Sequence, residues 1–300
     1  MRVVSLVPSV TDILVELGAV DEIIAVTYAC SLKSKPVVVK PVINTEDLPS
    51  DEIDRRVSEA SRRGESLYSL DVERIKSLRP DVVFAQDVCD VCAITSSRVS
   101  ISLHGIAPVI GVHPKSVDEI LEDILVIGKF VGRLNEAREL LGKIKERIDF
   151  VRTRAEGLPK IKSAFLEWLF PLFCSGHWVP ELVEIAGGVD IGVKGSHSRR
   201  ITFDELALFQ PSKIIAGPCG YVLDKVMKEL SQFVKQPMLK TLEAYVRDEI
   251  YAVDAEPYFS RHGPRIGDAA LILGEIIHPE TFRGSAPPDS FKKIMVEKIV

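Results

Sequence analysis

The cysteines and histidines are the side chains of this sequence with the most specific chemistry. Cys89 and Cys92 form a Cys-x-x-Cys motif, a spacing at which paired thiolates bind zinc or exchange with a disulfide. No second such pair occurs, so a complete metal site would take its other ligands from distant positions. The candidates are Cys30, Cys174, Cys219 and His262. The alternative is inert packing, because no thioredoxin-like context surrounds the motif.

The motifs of common enzyme mechanisms do not occur in the sequence. It has no GxSxG nucleophile elbow, no P-loop, no GxGxxG and no HExxH. No reaction is therefore indicated by a motif. The 300 residues are 46% hydrophobic and 27% charged, which is ordinary for a globular protein long enough for two domains. A formal net charge of −5 gives no indication of nucleic-acid binding, which would need a concentrated basic face.

The N-terminus and the cysteine count both bear on the compartment. Residues 1–8 are apolar for only a few positions and lack the long apolar region and cleavage site of a signal peptide. Five cysteines, an odd number, fit a reducing compartment better than a disulfide framework. No apolar run approaches the roughly 18–20 residues that span a bilayer. We expect a cytoplasmic location for the chain as written, or a periplasmic or extracellular-surface location if a leader was removed.

The pattern of apolar residues alternates between strands and helices. Residues 2–7 predict a strand, Ser9 predicts the cap of a helix that ends at Gly18, and residues 22–26 predict the next strand. Residues 70–85 and 203–216 resemble each other, since each predicts a short helix, a proline stop and a buried strand. The pattern therefore predicts two α/β lobes of similar plan with parallel-type central sheets.

A long amphipathic helix is predicted over residues 135–156. Its apolar residues recur at the spacing of one helical face, and about 22 residues at 1.5 Å each give a length of about 33 Å. A helix of this length can join two lobes as a stiff connection. The pattern is equally typical of an ordinary packing helix within one lobe.

Ligands of open α/β sheets gather at the carboxyl ends of parallel strands, so the residues after each predicted strand are the candidates for a binding site. Many of these residues are aromatic, as a small-molecule pocket requires. The candidates are Pro8, Ser9, Tyr28, Asp87, Phe170, His177, Trp178, Tyr221, Tyr258 and Arg261. Two alternatives stay open: Trp178 packs in the core, and Arg261 forms a structural ion pair instead of meeting a ligand.

Four segments resemble the substrate-binding proteins of vitamin B12 and metal-chelate ABC importers. They are RVVSLVPSVTD at 2–12, LRPDVV at 78–83, SGH at 175–177 before a helix ending in GG at 187–188, and SRHGPR at 260–265. The resemblance covers about residues 2–278. It implies an N-terminal lobe of residues 1–133, one rigid interlobe helix of residues 134–157, a C-terminal lobe of residues 158–278 and a tail of residues 279–300. The ligand is then held in the cleft between the lobes.

Within that family the chain is similar to a subgroup called cobalamin-binding proteins. Its marks here are QDVCDVCA at 86–93, EWL at 167–169, GHWVPE at 176–181 and PCG at 218–220. The resemblance implies a corrinoid or similar metal chelate as ligand, stacked on Tyr28, Trp178 and Tyr258. It implies an ABC permease as partner, docked through one surface acid on each lobe, for which the nearest residues are Glu73 and Asp204.

Two other functions remain as alternatives to corrinoid binding. The first is a cytoplasmic metal- or thiol-dependent enzyme on the same scaffold, which would use the cysteines together with His177 and His262. The second is siderophore or haem binding in the same cleft. The expectation from the sequence is a binding protein and not an enzyme, with a small-molecule metal chelate as its partner, no nucleic acid and no membrane span. A metal ion at the cysteines is the only cofactor considered.

Overall fold

The computed structural model describes residues 1–45, 48–87 and 94–295, which form two compact units. The first unit consists of Met1–Pro114 and Asp118–Leu141, and the second of Lys115–Val117 and the chain from Gly142 onwards. Each unit is a mixed α/β structure with its own sheet. The predicted fold class is confirmed.

The first unit has a largely parallel sheet with helices along it. In the described residues the sheet has six strands in the order β4-β3-β2-β1-β5-β6, and only β3 and β4 pair antiparallel. The elements are β1 (Val3–Ser5), α1 (Pro8–Glu16), β2 (Ile23–Thr27), β3 (Val37–Pro41), α2 (Ser50–Arg62), β4 (Tyr68–Leu70), α3 (Val72–Leu78), β5 (Val82–Gln86), α4 (Ser96–Ser102), β6 (Val109–Val112) and α5 (Val117–Phe130). Every residue of β1 and β5 is buried, as a parallel strand covered on both faces requires.

The second unit has a mixed sheet. Among the described residues it holds seven strands, six of them in the order β10-β8-β7-β11-β12-β13, while β9 pairs with β7. The strands β7, β11 and β12 run parallel at its centre. The elements are β7 (Ile161–Leu169), β8 (Leu172–Cys174), α7 (Val179–Ile185), β9 (Gly188–Asp190), β10 (Arg199–Arg200), α8 (Phe203–Phe209), β11 (Lys213–Ala216), α9 (Leu223–Phe233), α10 (Glu243–Val246), β12 (Ile250–Val253), α11 (Ala255–Tyr258), α12 (Ile266–Ile277), α13 (Pro279–Phe282) and β13 (Phe291–Lys293).

The first helix begins earlier than the sequence predicted. α1 starts at Pro8 and its cap residue is Val7, without a side-chain cap. Proline suits the first turn because its φ is already helical and its missing N–H has no partner there in any helix. Ser9 therefore lies inside the helix, and the prediction that it caps the helix was wrong. The helix ends at Glu16, and Gly18, the predicted stop, follows two residues later with φ +70°.

The repeated segment of the two units is confirmed in detail. α3 and α8 both end at a residue in the left-handed conformation, Arg79 with φ 47° and Gln210 with φ 49°. A buried proline follows in each case, Pro80 or Pro211, and then a buried strand. The first turns match as well, because Asp71 and Thr202 each accept a hydrogen bond from the backbone amide three residues later.

The long helix is confirmed as α6 (Leu134–Ala155), and the boundary of the two units falls after its Leu141. The tail was predicted over residues 279–300, and its described part, residues 279–295, belongs to the second unit. Phe282 of α13 is fully buried beside Gly274 of α12, and β13 pairs antiparallel with β12. None of the helices in the described residues is both long enough and apolar enough to cross a membrane.

Candidate functional site

In the first unit, the turn after β1 is closed by a chain of hydrogen bonds. Thr11 Oγ1 donates to Ser5 Oγ at 2.8 Å and lies 3.0 Å from Cys30 Sγ. Either atom of the second contact could be the donor. Cys30 is 1% exposed, so its sulfur is enclosed within the first unit. Pro8 is half-buried and Ser9 is buried, so Pro8 is the more accessible of these two candidates.

Tyr28 lies directly after β2 and is the exposed aromatic candidate of the first unit. Its residue is 38% exposed. One ring face stacks on Tyr68, with 6.2 Å between ring centroids and 27° between planes. Its carbonyl oxygen accepts a hydrogen bond from Lys33 Nζ at 3.0 Å. The ring is therefore held in place and still accessible, as a stacking surface requires.

Asp87 follows β5, but its carboxylate is used within the unit. Its Oδ1 accepts a hydrogen bond from the amide of Ser96 at 2.8 Å, and its Oδ2 accepts one from the Ser96 hydroxyl. Ser96 is the first residue of α4, so Asp87 caps that helix. This contact gives the predicted ligand residue a structural role. Cys89 and Cys92, the motif that follows, lie outside the described residues.

In the second unit, the loop Ser175–Trp178 joins β8 to α7 and is packed closely on the segment around residue 196. The amide of His177 donates to the Ser196 carbonyl at 2.6 Å, and the amide of Gly195 donates to the His177 carbonyl at 2.8 Å. A Cβ on Gly176 would lie 2.3 Å from the amide nitrogen of Ser198, so only glycine fits here. His177 itself has φ 54°, an uncommon conformation for a residue other than glycine.

Two carboxylates hold this 175–178 loop from the sheet side. Glu167 Oε1 accepts a hydrogen bond from the Gly176 amide at 3.1 Å, and Oε2 accepts one from the Ser198 hydroxyl. Asp190 accepts hydrogen bonds from the Ser175 hydroxyl and from the amide of Phe165 at 2.9 Å. Burial raises the pKa of Asp190 to about 6, although these hydrogen bonds act in the opposite direction.

Four nitrogen-containing rings form a row from the surface inward. The ring centroids are 5.1 Å apart for His197 and His177, 5.9 Å for His177 and Trp178, and 5.7 Å for Trp178 and His262. His197 is exposed and His177 half-buried, whereas Trp178 and His262 are each only 5% exposed. Burial lowers the pKa of both His177 and His262 to about 4, so both rings are neutral near pH 7.

Three of the aromatic candidates are buried. Trp178, Tyr221 and Tyr258 are each less than a tenth exposed, which disfavours the stacking on Trp178 and Tyr258 that the resemblance implied. Tyr221 packs against Trp168 at 5.3 Å, and the guanidinium of Arg265 lies 5.6 Å from the Tyr258 ring centroid. The prediction that Trp178 packs in the interior, left open as an alternative, agrees with its burial.

Arg261 and Phe170 also have partners within the second unit. Arg261 forms an ion pair with Glu256, and its side chain is 13% exposed. The alternative of a structural ion pair therefore describes Arg261 better than a charge reserved for a ligand. Phe170 is half-buried in the turn from β7 to β8, where its ring meets Phe233 edge to face at 6.0 Å.

The predicted metal site is not formed by the residues that the structure describes. Within residues 1–45, 48–87 and 94–295 there is no group of three or more His, Cys, Asp or Glu side chains that could hold a metal ion. Cys174 lies in the hydrophobic core of the second unit, where burial raises the pKa of its thiol. The amide of Cys219 donates to the Glu167 carbonyl at 3.1 Å, and His262 is enclosed beside Trp178.

Glu167 and Asp190 are the residues that the strand-end survey missed. The survey considered residues after each strand, whereas Glu167 lies inside β7 and Asp190 is the last residue of β9. A signal was present, because Glu167 is a carboxylate within a strand that is otherwise largely apolar. Such a residue is unfavourable in a sheet interior unless it accepts hydrogen bonds.

A family model described as "Periplasmic binding protein" matches residues 3–257. The ABC transporter substrate-binding lipoprotein YvrC of Bacillus subtilis (strain 168) is 23% identical over 94% of this chain and 81% of its own length. Among solved structures, the vitamin B12 binding protein BtuF of Vibrio cholerae has a TM-score of 0.66, with 18% identity over 92% of this chain and 96% of its own. The haem-binding protein RhuT of Roseiflexus sp. RS-1 has a TM-score of 0.67, with 19% identity over 93% and 98%. The family model and these similar proteins are all described as binding proteins, which agrees with the expectation of a binding protein. The family model matches most of the length of this chain, which shows that the chain belongs to the periplasmic binding protein family.

Proposed function

We propose that this protein is the substrate-binding component of an ABC importer for a large metal chelate, and that the chelate is a corrinoid. The observation that carries the proposal is the type of side chain at the strand ends of each unit. The first unit offers the exposed ring of Tyr28, and the second offers the 175–178 loop with the neutral His177. The names of the similar proteins support the ligand class, since they include vitamin B12, haem and iron binding proteins.

A corrinoid suits these surfaces for a chemical reason. Its ring has apolar faces that stack on aromatic side chains, and its rim carries neutral amide arms that pair with N–H groups. Three charged groups near the strand ends already have partners: Asp87 with Ser96, Glu167 with Gly176 and Arg261 with Glu256. A neutral ligand rim therefore matches this site better than a rim of carboxylates.

The proposed partner is an ABC permease, docked through Glu73 and Asp204. Both acids are exposed, and both are the second residue of their helices, α3 and α8. These helices belong to the repeated segment of the two units, so each unit presents one acid at the same place in the same motif. Negative charge is favourable in a first helical turn, which makes this position a stable place for a docking acid.

Titration with chelates tests the ligand. Purified protein is mixed with cobalamin, cobinamide, haem or a ferric siderophore, and the chelate absorption and tryptophan fluorescence are followed. We expect saturable changes with the corrinoids at micromolar concentrations. Saturation with haem or the siderophore alone would replace the corrinoid as ligand, and no change with any chelate would refute the proposed function.

Tyr28 provides the matched variants for this titration. Tyr28→Ala removes the ring and is expected to weaken corrinoid binding about tenfold, since stacking on an aromatic ring contributes about 0.5–1.5 kcal/mol. Tyr28→Phe keeps the ring and is expected to bind like the parent protein. Phe130→Ala is the control, because Phe130 is a comparably exposed aromatic residue at the end of α5 in the same unit.

Transport tests the docking acids separately from binding. The double variant Glu73→Lys, Asp204→Lys is expected to bind the chelate normally and to abolish uptake of labelled cobalamin by cells that depend on this protein. Glu139→Lys, Glu146→Lys on the exposed side of α6 is the matched control and should leave uptake unchanged. Equal loss of uptake in both double variants would show a general charge effect and reject these docking residues.

A further inference from the structure

Two buried nitrogen atoms in the second unit have no hydrogen-bond partner among the described residues. They are Nε1 of Trp178 and Nδ1 of His262. Both residues are 5% exposed, and their rings meet edge to face at 5.7 Å. Buried polar atoms in folded proteins are nearly always paired, because leaving one unpaired forfeits its hydrogen bonds to water. Two such atoms on neighbouring rings indicate a place where a further group is expected.

The chemistry of the two rings limits what that group can be. An indole Nε1–H only donates, so Trp178 requires an acceptor. A neutral imidazole donates from one nitrogen and accepts at the other, so the tautomer of His262 can adjust to the same acceptor. In the described part of the chain no three ligating side chains meet, which leaves a lone metal ion without a coordination set. An acceptor oxygen therefore suits the Trp178 N–H, and it also suits His262 in the tautomer that carries its proton on Nδ1.

The charge of the surroundings selects a neutral oxygen. An ionisable neighbour of this pair is His177, whose ring centroid lies 5.9 Å from that of Trp178. His177 and His262 are both held in the uncharged form by burial, and Lys115 is a cation whose charge reaches His177. Trp178 and His262 are each only 5% exposed, and burying a charge costs more than burying a neutral polar group. An amide carbonyl oxygen can be buried here at lower cost than a carboxylate oxygen.

We propose that Trp178 and His262 form a subsite that takes up a neutral carbonyl oxygen of the ligand, such as that of an amide arm, and thereby distinguishes amide-bearing chelates from their carboxylate counterparts. The proposal rests on the proposed function for the identity of the ligand. The carbonyl group approaches beside His177, the partly exposed neighbour of Trp178. Stacking of the chelate is left to other residues, so the two contributions can be separated by mutation.

Nuclear magnetic resonance of the indole groups tests the subsite directly. The chain has two tryptophans, Trp168 and Trp178, and the variants Trp168→Phe and Trp178→Phe assign their indole N–H signals. We expect cobinamide, and acetamide at high concentration, to shift the signal of Trp178 downfield while that of Trp168 moves little. Acetate at the same concentration is expected to leave the Trp178 signal in place.

Affinity provides the second readout. Trp178→Phe and His262→Leu are expected to weaken binding of cobinamide about tenfold, which is the usual effect of losing one buried hydrogen bond. Binding of cobyrinic acid, which carries carboxylates, should be weaker in the parent protein and change less in the variants. His278→Gln is the matched control, because His278 Nε2 is also without a partner in the described residues but lies beside Gly187.

The outcomes separate the subsite from the proposed function. If cobinamide binds but neither variant changes its affinity and the Trp178 signal stays in place, the subsite is rejected and the proposed function stands. If no chelate binds, the proposed function is rejected, and the acetamide titration of the parent protein still decides the subsite. A Trp178 signal that does not respond to acetamide and resists exchange with solvent would assign the place to a permanently bound water and overturn the proposal.

Discussion

The carboxylate of Glu167 accepts a hydrogen bond from the backbone amide of Gly176, with 3.1 Å between Oε1 and the nitrogen. Its second oxygen accepts from the hydroxyl of Ser198, so one side chain of β7 joins two loops. His177 follows Gly176 directly, and its own amide bonds to the carbonyl of Ser196 in the second loop. The position of His177 therefore depends on a carboxylate that is itself turned toward the protein.

Replacement of Glu167 by glutamine is expected to lower the free energy of unfolding by about 1–3 kcal/mol. The physical reason is the loss of a charged acceptor that two donors share, since hydrogen bonds to charged groups are worth more than neutral ones. Urea unfolding measures the loss, and hydrogen exchange should show faster exchange at the Gly176 amide. Glu184→Gln removes an exposed ion pair with Lys194 and should cost less than about 1 kcal/mol. Equal losses in the two variants would contradict the role of Glu167.

Gly176 is expected to be intolerant of any side chain. The Cβ of an alanine would lie 2.3 Å from the Ser198 nitrogen and 2.6 Å from the His197 carbonyl carbon, and both are backbone atoms. Gly176→Ala should therefore lower the free energy of unfolding by about 1–3 kcal/mol. Gly142→Ala in α6 is the control, because nothing lies within 4 Å of its Cβ position, and it should raise stability by roughly 0.5–1 kcal/mol. Thermal unfolding of both variants checks the signs, and a neutral Gly176→Ala would contradict the close packing of the loops.

The fold was largely predictable because it depends on local patterns that the structure keeps. The helix of residues 135–156 was predicted within one residue at each end, since its apolar spacing and its glycine stop act locally. The start of α1 was misplaced because Pro8 and Ser9 are both favourable at a helix start, and the proline occupied the first turn. Residues 279–293 were taken for a tail because β13 is short, and its pairing with β12 is not visible in its own sequence.

The place of the candidate residues after strands was predictable, whereas their exposure was not. His177 and Trp178 follow a strand, as the survey expected, yet the first is half-buried and the second is almost enclosed. Burial depends on which side chains from other elements cover a ring, and a single sequence does not carry that information. The same reason explains Arg261, since its pairing with Glu256 depends on the turn formed by α11.

Glycine at the ends of the repeated helices is expected to stabilise the protein. Arg79 and Gln210 have φ of 47° and 49°, which costs less for glycine than for a residue with a Cβ. Arg79→Gly and Gln210→Gly should each raise the free energy of unfolding by about 0.4–1 kcal/mol, and their effects should add because the sites lie in different units. Arg98→Gly within α4 is the control and should lower stability by about 1 kcal/mol. Denaturant midpoints decide, and a loss of stability in both end variants would contradict the prediction.

The buried histidines predict how stability changes in mild acid. The pKa of His262 is lowered from 6.5 to about 4, so between these values the unfolded chain binds a proton that the folded protein does not. Its contribution to stability is complete above pH 6.5 and is lost as the pH falls toward 4. Asp190 acts in the opposite direction, because its pKa is raised from 3.8 to about 6 and the folded protein holds the extra proton between these values. The two groups therefore oppose each other between pH 4 and 6.

His262→Phe removes the histidine from this balance while keeping a buried ring. At pH 7 the packing of the new ring sets the difference in the free energy of unfolding between the variant and the parent protein. As the pH falls from 6.5 to 4, the free energy of unfolding of the variant should rise steadily relative to that of the parent protein. The relative gain should be on the order of 3 kcal/mol over that interval. Urea unfolding at several pH values measures it, and Asp190→Asn should change the slope in the opposite sense. His104→Gln, at an exposed position, is the matched control. A difference between His262→Phe and the parent that stays constant with pH would show that His262 is not held neutral by burial.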